Sequence, residues 1–207
     1  MTKLEIEMVR DDLTIEQTHY FAAEGRLAWD IETSGLDWSK ESIGTCQLAG
    51  RSRSVIVQLD GRRPDRLSSL LEDSDVTKIF HHAMFDLRFM SHAWGVAPAN
   101  IVCTKVASKI LQPGVTADAH SLKALLEAKL DVRLSKEQQT SDWLRDRLSA
   151  EQIEYAVRDV AYLAPLLSVL LRELEAAGKL HLALASFAYI PTRVWLDLSG
   201  TGDVFTY

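Results

Sequence analysis

An apolar segment that ends in two acids constrains the fold of this chain more than any other feature. Residues 27–32, with the sequence LAWDIE, are apolar or β-prone apart from Asp30 and Glu32, and this pattern predicts a strand. Successive side chains of a strand point to opposite faces of a sheet, so the two carboxylates share one face. Both can therefore bind the same metal ion.

A second pair of polar side chains lies late in the chain. Tyr155 and Asp159 stand four residues apart in a segment with helical periodicity, so they lie one turn apart on a common face. Between the two pairs, Asp86 falls in the first turn of a helix predicted over residues 84–94. Four acids and a tyrosine in this order indicate a metal-dependent phosphodiesterase.

Composition sets the broad class of the protein. The 207 residues, 47% of them hydrophobic, suit one domain over residues 1–207. A net charge of -6 argues against a broad nucleic-acid-binding face, although acids are required where bound cations bridge to a phosphate. Apolar stretches are too short to span a membrane, and the N-terminus lacks the pattern of a signal peptide. A soluble, cytoplasmic protein is expected, with Cys46 and Cys103 reduced and buried.

Periodicity and turn residues predict an alternation of strands and helices. Strands are predicted at residues 4–9, 26–32, 42–49, 54–59, 77–80 and 100–103, and helices at residues 14–23, 65–71, 84–94, 105–111 and 121–130. Ser149 and Gln152 have the spacing of a capping box that opens a further helix, which Pro165 kinks or divides. After residue 181, an apolar helix-like stretch is predicted to break at Pro191.

Taken together, these motifs resemble those of the DEDD 3′-5′ exonucleases, and within them the tyrosine-bearing branch that includes ribonuclease D. The resemblance covers roughly residues 20–175 and includes CTKVAS at 103–108, HSLK at 120–123 and QTSDW at 139–143. It implies an α/β, ribonuclease H-like fold, with a mixed five-stranded sheet flanked by helices and the acids gathered at one edge. A C-terminal helix and tail, residues 179–207, lie outside it.

Roles for the acids follow from the same resemblance. It implies that Asp30, Glu32 and Asp159 bind one divalent ion, that Asp30 bridges to a second, and that Asp86 holds the second ion largely through water. Two cations about 3.5–4 Å apart can activate a water and stabilise both oxygens of an in-line displacement. Oxygen ligands suit Mg²⁺ or Mn²⁺. Tyr155 is expected to orient the attacking water, because a phenol with a pKa near 10 is a poor base at neutrality.

Substrate contacts are expected beside the first and second motifs. Gly35 and Leu36 match positions where relatives let a nucleotide approach the backbone and wedge against its base, while an ordinary turn followed by a core leucine is the alternative. Thr33 beside them is also expected to bind the substrate. His82 stands where many relatives have an asparagine that contacts the terminal nucleotide, and a structural histidine is equally compatible. Phe85 is expected in the core.

The function that the resemblance implies is a 3′-5′ exoribonuclease that releases nucleoside 5′-monophosphates. Short, unpaired RNA 3′ ends are the expected substrates, because the acidic surface offers little further grip on RNA. Two alternatives stay open: a DNA exonuclease that trims or proofreads, and a catalytically silent RNA-binding or assembly module. The sequence leaves the oligomeric state open.

Overall fold

A six-stranded mixed sheet forms the centre of the protein, in a computed structural model that describes residues 5–133 and 141–206. Its strands follow the order β1-β4-β3-β2-β5-β6. Strand β3 is antiparallel to both β2 and β4, and the other pairs are parallel. The strands are β1 (Glu5–Arg10), β2 (Arg26–Thr33), β3 (Ile43–Ala49), β4 (Arg53–Gln58), β5 (Thr77–Phe80) and β6 (Ile101–Cys103).

The expected five-stranded sheet is wrong by one strand, because β1 extends it at the β4 edge. Glu5 to Arg10 pair in register with Arg53 to Gln58, and this pairing supplies partners to backbone groups that an edge strand leaves open. The Glu7 carboxylate accepts one hydrogen bond from the Gln17 side-chain amide at 2.8 Å and lies 2.8 Å from the Arg53 guanidinium. Packing therefore joins a short amphipathic strand to the sheet.

Helices cover both faces of the sheet. They are α1 (Ile15–Glu24), α2 (Asp65–Glu72), α3 (Ala83–Trp94), α4 (Thr104–Leu111), α5 (Leu122–Leu130), α6 (Ala150–Ala161), α7 (Leu163–Ala176) and α8 (Leu180–Leu198), with a 3₁₀ turn at Ala117–His120. Every strand and helix bound predicted up to residue 130 lies within one residue of the observed bound, except that Leu4 lies outside the described residues. Local periodicity was thus sufficient to locate these elements.

The two faces of β2 explain where its acids point. Trp29 and Ile31 belong to the main core, which includes buried side chains of α1, α2 and α3. Ala28 lies on the other face, against buried side chains of α6 and α7. Because strand side chains alternate, Asp30 and Glu32 follow Ala28 and face the side on which α6 packs.

Two helix ends have the capping residues that their local sequence favours. Ser149 and Gln152 form the capping box that opens α6, and Gly95 ends α3 in the left-handed conformation with φ 64°. The predicted division near Pro165 is confirmed, since α6 ends and α7 begins on either side of Tyr162. Pro165 then lies in the first turn of α7, where the missing N–H of proline is tolerated.

The predicted break at Pro191 is wrong, because α8 runs without interruption from Leu180 to Leu198. A proline inside a helix costs about 3 kcal/mol or more. Phe187, Ile190 and Val194 of α8 are buried in the main core, and their burial offsets this cost. Cys46 and Cys103 are buried and free, as predicted. Within the described ranges, no helix is both long and apolar enough to cross a membrane.

Candidate active site

A cavity of about 540 Å³ opens at the end of β2 and is lined by every site residue that the sequence predicts. These residues are Asp30, Glu32, Thr33, Gly35, Leu36, His82, Asp86, Tyr155 and Asp159. Strand β2 supplies the first acids, α3 supplies Asp86, and α6 supplies the last motif. A second cavity, of about 340 Å³, lies at the start of β2 beside Arg26 and Arg51 and contains none of the predicted residues.

Three carboxylates form a tight group in the larger cavity. One oxygen each of Asp30, Glu32 and Asp159 lies within 4.8 Å of the others, and all three residues are half-buried. Oxygens bound to one Mg²⁺ at about 2.0–2.1 Å lie at most about 4.2 Å apart, so small side-chain adjustments suffice to bind an ion. The group fits a divalent cation with oxygen ligands.

Asp86 lines the same cavity from the first turn of α3 and is buried, with 2% of its surface exposed. It is not a member of the tight group of three oxygens. Burial raises the pKa of the Asp86 carboxyl, and hydrogen bonds from its own backbone N–H and that of Ile31 oppose the shift. A carboxylate set apart in this way is compatible with holding an ion through water.

Burial and mutual repulsion shift the titration of the acids. The pKa of Asp30 is raised well above its ordinary value by burial and by the charges of Asp86, Glu32 and Asp159. Burial and the charges of Asp159 and Asp86 likewise raise the pKa of Glu32. Burial raises the pKa of Asp159, although Tyr155 and Arg158 oppose the shift. Such a cluster is unfavourable alone, and a bound cation compensates its charge.

Tyr155 stands beside Asp159 as the helical spacing predicts. Its pKa is raised above the ordinary value by burial and by the charges of Asp159 and Glu32, so the phenol stays protonated and can donate a hydrogen bond. The Tyr155 ring lies 6.1 Å from the ring of Trp143, which is buried. The phenol therefore fits the predicted role of orienting a water better than that of a base.

Leu36 is not a core residue, because 84% of its surface is exposed at the rim of the cavity. Next to it, a Cβ atom added to Gly35 would lie 2.9 Å from Cδ of Glu41, so a larger residue at this position would require the exposed Glu41 side chain to move. The Thr33 hydroxyl donates to the Gly35 carbonyl at 2.6 Å. The exposure of Leu36 excludes the core leucine, and the contact of this segment with a nucleotide stays a prediction.

His82 forms part of the cavity wall together with Phe85. The two rings stack at 6.2 Å with an interplanar angle of 18°. Partial burial and the charges of Lys105, Lys109 and Arg88 lower the pKa of His82 to about 4, so the ring is neutral at neutral pH. The His82 side chain makes no capping hydrogen bond to α3, which leaves its ring available to a ligand. Phe85 is half-buried and contacts both core and cavity.

Ser141 also lines the cavity, although it was not among the site residues predicted from the sequence. Its hydroxyl oxygen accepts a hydrogen bond at 2.8 Å from the side-chain amide of Gln152 on α6. The only signal was its place in the segment QTSDW, of which Gln139 and Thr140 lie outside the described residues. A small polar residue in a loop carries no periodicity that would point to a cavity.

The protein has a mixed sheet flanked by helices, and one central strand and two helices bring four acids to one cavity. This arrangement is that of metal-dependent nucleases with a ribonuclease H-like fold. A family model described as a 3′-5′ exonuclease matches residues 6–175. The chain belongs to this 3′-5′ exonuclease family.

Curated relatives of the chain are ribonuclease D proteins. Ribonuclease D of Pseudomonas paraeruginosa is 32% identical over 168 residues, which cover 79% of this chain and 43% of the relative. Ribonuclease D of Escherichia coli is 30% identical over 149 residues, which cover 68% of this chain and 39% of the relative. The chain thus spans about two-fifths of the length of these relatives.

Solved structures include relatives of similar length. Brucella melitensis NrnC has a TM-score of 0.89 and 37% identity, and the match covers 98% of each chain. NrnC bound to pGG has a TM-score of 0.89 and 36% identity, over 99% of this chain and 100% of the other. NrnC with bound Mg²⁺ has a TM-score of 0.88 and 35% identity over the same shares. The likeness to NrnC therefore extends past residue 175 and includes α8.

Proposed function

We propose that this protein is a metal-dependent 3′-5′ exoribonuclease that releases nucleoside 5′-monophosphates from the 3′ ends of short, single-stranded RNA. The observation that carries the proposal is the group of Asp30, Glu32 and Asp159, whose oxygens lie within 4.8 Å of one another. Asp86 and Tyr155 line the same cavity. Membership of the 3′-5′ exonuclease family and the ribonuclease D relatives support the direction of cleavage and the polymer.

Two divalent ions are the proposed cofactors, either Mg²⁺ or Mn²⁺. Asp30, Glu32 and Asp159 would hold one ion, while Asp86 and Asp30 would hold the other. When bound, the ions would activate a water and neutralise charge on the phosphate and the leaving oxygen. Oxygen-only ligands favour these hard cations, and the NrnC structure with bound Mg²⁺ supports the choice.

The residues of the chain have distinct proposed parts in the hydrolysis. Tyr155 would stay protonated, donate a hydrogen bond from its phenol to the attacking water and hold the water oxygen in line with the P–O3′ bond. The water would lose a proton to solvent as its oxygen bonds to phosphorus, the bond from phosphorus to the 3′ oxygen would break, and the 3′ oxygen would take a proton from solvent. Leu36 would pack against the terminal base, and His82 with Phe85 would form the opposite wall. The terminal nucleoside leaves with its 5′ phosphate.

Short substrates suit this cavity better than long RNA. A volume of about 540 Å³ lies in the range of pockets for small ligands, which is roughly 300–1,000 Å³. A net charge of -6 disfavours a long electrostatic footprint on a polymer. The structure of NrnC bound to pGG adds a relative that holds a very short oligonucleotide. The cytoplasmic localisation expected from the sequence stays a prediction.

Degradation assays with matched polymers test the proposal. RNA and DNA of one sequence, each labelled at the 5′ end, and pGG would be incubated with Mg²⁺, Mn²⁺ or a chelator. We expect shortening from the 3′ end only with metal, faster on RNA than on DNA and fastest on short substrates. Asp30→Asn is the inactive control, since it removes the bridging ligand. If neither metal supports degradation of any substrate, the proposal that the protein is a nuclease is refuted. Tight RNA binding without metal would favour an RNA-binding module.

A further inference from the structure

The loop of residues 34–42 joins β2 to β3 and carries Leu36 at the rim of the cavity. Because 84% of the Leu36 surface is exposed, burial of its own side chain cannot hold it in place. Under the proposed function, Leu36 packs against the terminal base. Such a contact can fix the position of the terminal nucleoside only if the loop already has a defined position before the substrate binds.

Hydrogen bonds close the root of this loop. Ser34 N–H donates to the Ser42 carbonyl at 2.9 Å, and Ser42 N–H donates to the Ser34 hydroxyl oxygen at 3.0 Å. The Ser34 hydroxyl in turn donates to the Glu41 carboxylate at 2.5 Å. The Glu41 side chain lies against Gly35, where an added Cβ would be 2.9 Å from Cδ. These contacts shape the loop but involve only its own residues.

The tip of the loop also has an internal hydrogen-bond network. The Asp37 carboxylate accepts from the Ser39 hydroxyl at 2.6 Å and from the Lys40 ammonium at 2.7 Å. These contacts are exposed to solvent, and they too stay within the loop. The Thr33 hydroxyl, which donates to the Gly35 carbonyl, ties the root of the loop to β2, but neither network connects the tip to the body of the protein. The orientation of the tip therefore needs a different contact.

Trp38 supplies a contact between this loop and the body of the protein. Its partly buried side chain packs against the main core, and its ring lies 5.2 Å from the ring of His92 at an angle of 69°, an edge-to-face arrangement. His92 belongs to α3, the helix that also carries Asp86 and Phe85 into the cavity. The loop is therefore attached to the helix that supplies a proposed metal ligand.

We propose that Trp38, through its contact with His92 and the core beneath it, is a positioning residue for the 3′-terminal nucleoside. It holds the loop of residues 34–42 against α3, so that Leu36 keeps a constant distance from Asp86 before the substrate binds. The inference rests on the proposed function for the role of Leu36. It adds a residue that touches neither substrate nor metal and acts through the loop.

Steady-state kinetics on a short RNA substrate with Mn²⁺ test this anchor, the contact of Trp38 with His92 and the core. A displacement of about 1 Å can lower a rate by up to about 100-fold, so Trp38→Ala should reduce kcat/KM by roughly 10- to 100-fold, with the larger part in KM. Trp38→Phe should recover most of the loss because it keeps an aromatic ring. His92→Ala, an exposed substitution, should give an intermediate loss. The affinity for Mn²⁺ should stay unchanged in all three variants.

A double-mutant cycle separates positioning from general destabilisation. If Trp38 acts through Leu36, Trp38→Ala should cause little further loss of kcat/KM in a Leu36→Ala background. Trp195→Ala is the matched control, because Trp195 is 46% exposed on α8 and does not line the cavity. Additive losses, or wild-type kcat/KM in Trp38→Ala, would overturn the proposal. If Trp38→Ala does not fold, the same cycle with His92→Ala decides it.

A measurement without substrate distinguishes this proposal from the proposed function. Backbone amide order parameters of residues 34–42 should be near 0.85 in the wild type and fall toward about 0.6 in His92→Ala and Trp38→Ala. They should be unchanged in Trp195→Ala. An equally rigid loop in both anchor variants would overturn the positioning role. If the wild type proves inactive but the loop still loses order in Trp38→Ala and His92→Ala, the proposed nuclease function is refuted and the positioning role of Trp38 is retained.

Discussion

The carboxylates of Glu32 and Asp159 approach within 4.8 Å of each other, although Glu32 belongs to β2 near the start of the chain and Asp159 to α6 in its last third. Like charges at this distance repel, and partial burial strengthens the repulsion. Burial raises the pKa of both carboxyls, and the charge of Asp159 raises the pKa of Glu32 further. The metal-free protein should therefore be less stable than the same fold without the repulsion.

Asp159→Asn should raise the melting temperature of the metal-free protein by a few degrees, about the shift expected for 1 kcal/mol. It should also reduce activity by roughly 100-fold or more. Adding Mn²⁺ should stabilise the wild type strongly and the variant weakly, since a ligand that binds only the folded state raises stability. Differential scanning calorimetry with and without chelator measures both effects.

Asp118→Asn is the control for that comparison, because Asp118 is exposed and outside the cavity. It should alter neither the melting temperature nor its response to Mn²⁺. A lower melting temperature of metal-free Asp159→Asn, or equal stabilisation of both proteins by Mn²⁺, would contradict the assignment of Asp159 as a ligand.

Tyr155→Phe should lower kcat by roughly 10- to 100-fold and leave the affinity for Mn²⁺ unchanged, because the phenol is expected to orient the water and not to bind the metal. Single-turnover kinetics and calorimetric titration with Mn²⁺ test the two parts. Tyr189→Phe is the matched control, since its hydroxyl is buried in α8 with no hydrogen-bond partner in the described part of the chain. Equal kcat in the wild type and Tyr155→Phe would remove the tyrosine from the mechanism.

Leu36→Ala should weaken catalysis without weakening the fold. An exposed leucine contributes little to stability, whereas its contact with a base should be worth about 1–2 kcal/mol, which corresponds to a 5- to 30-fold loss of kcat/KM. Leu184→Ala, at 53% exposure on α8, is the control and should change neither quantity. A marked fall in melting temperature with unchanged kcat/KM would show that Leu36 serves the fold.

Gly44→Ala should destabilise the protein and lower its kcat. An added Cβ would lie 2.5 Å from the Trp143 carbonyl oxygen and 2.9 Å from its carbonyl carbon, both of them backbone atoms that cannot turn aside. The strain should cost about 1–3 kcal/mol and displace Trp143, whose ring lies against Tyr155. Urea denaturation and kcat measure the two effects.

Gly114→Ala serves as its control, because an added Cβ at Gly114 meets nothing within 4 Å. Its stability and kcat should equal those of the wild type. Wild-type stability of Gly44→Ala would mean that residues 141–148 move away from β3 at little cost.

Lys78 should make stability depend on pH above neutrality. Its ammonium is buried on β5 and donates to the Asp73 carbonyl at 2.5 Å, and burial lowers its pKa to about 8 from an ordinary 10.5. Between these values the unfolded chain binds more protons than the folded one, so the free energy of unfolding contributed by Lys78 rises with pH. That contribution is lost as pH falls through about 8.

The difference in unfolding free energy between the wild type and Lys78→Met should therefore grow in favour of the wild type from pH 8 to pH 10. Urea denaturation at several pH values measures it. Lys123→Met, an exposed change on α5, should leave the pH profile unaltered. A flat difference for Lys78→Met would show that the Lys78 ammonium is as well solvated as an exposed one.

Local chemistry in the sequence predicted much of this molecule. The alternation of Asp30 and Glu32 on one strand face and the one-turn spacing of Tyr155 and Asp159 depend only on neighbouring residues. The same holds for the Ser149 capping box and the end of α3 at Gly95. Period and capping act within a turn or a strand, and for that reason they are visible without a tertiary structure.

Tertiary packing decided the features that depend on distant parts of the chain. It added β1 to the edge of β4, carried α8 through Pro191, and left Leu36 exposed where a core leucine was an equal alternative. Contacts between Trp38 and His92, and between Glu32 and Asp159, likewise have no local signal. Each of these features depends on how much apolar surface is buried and how closely side chains pack between elements that are distant in the sequence. A pattern within one strand or helix does not contain that information.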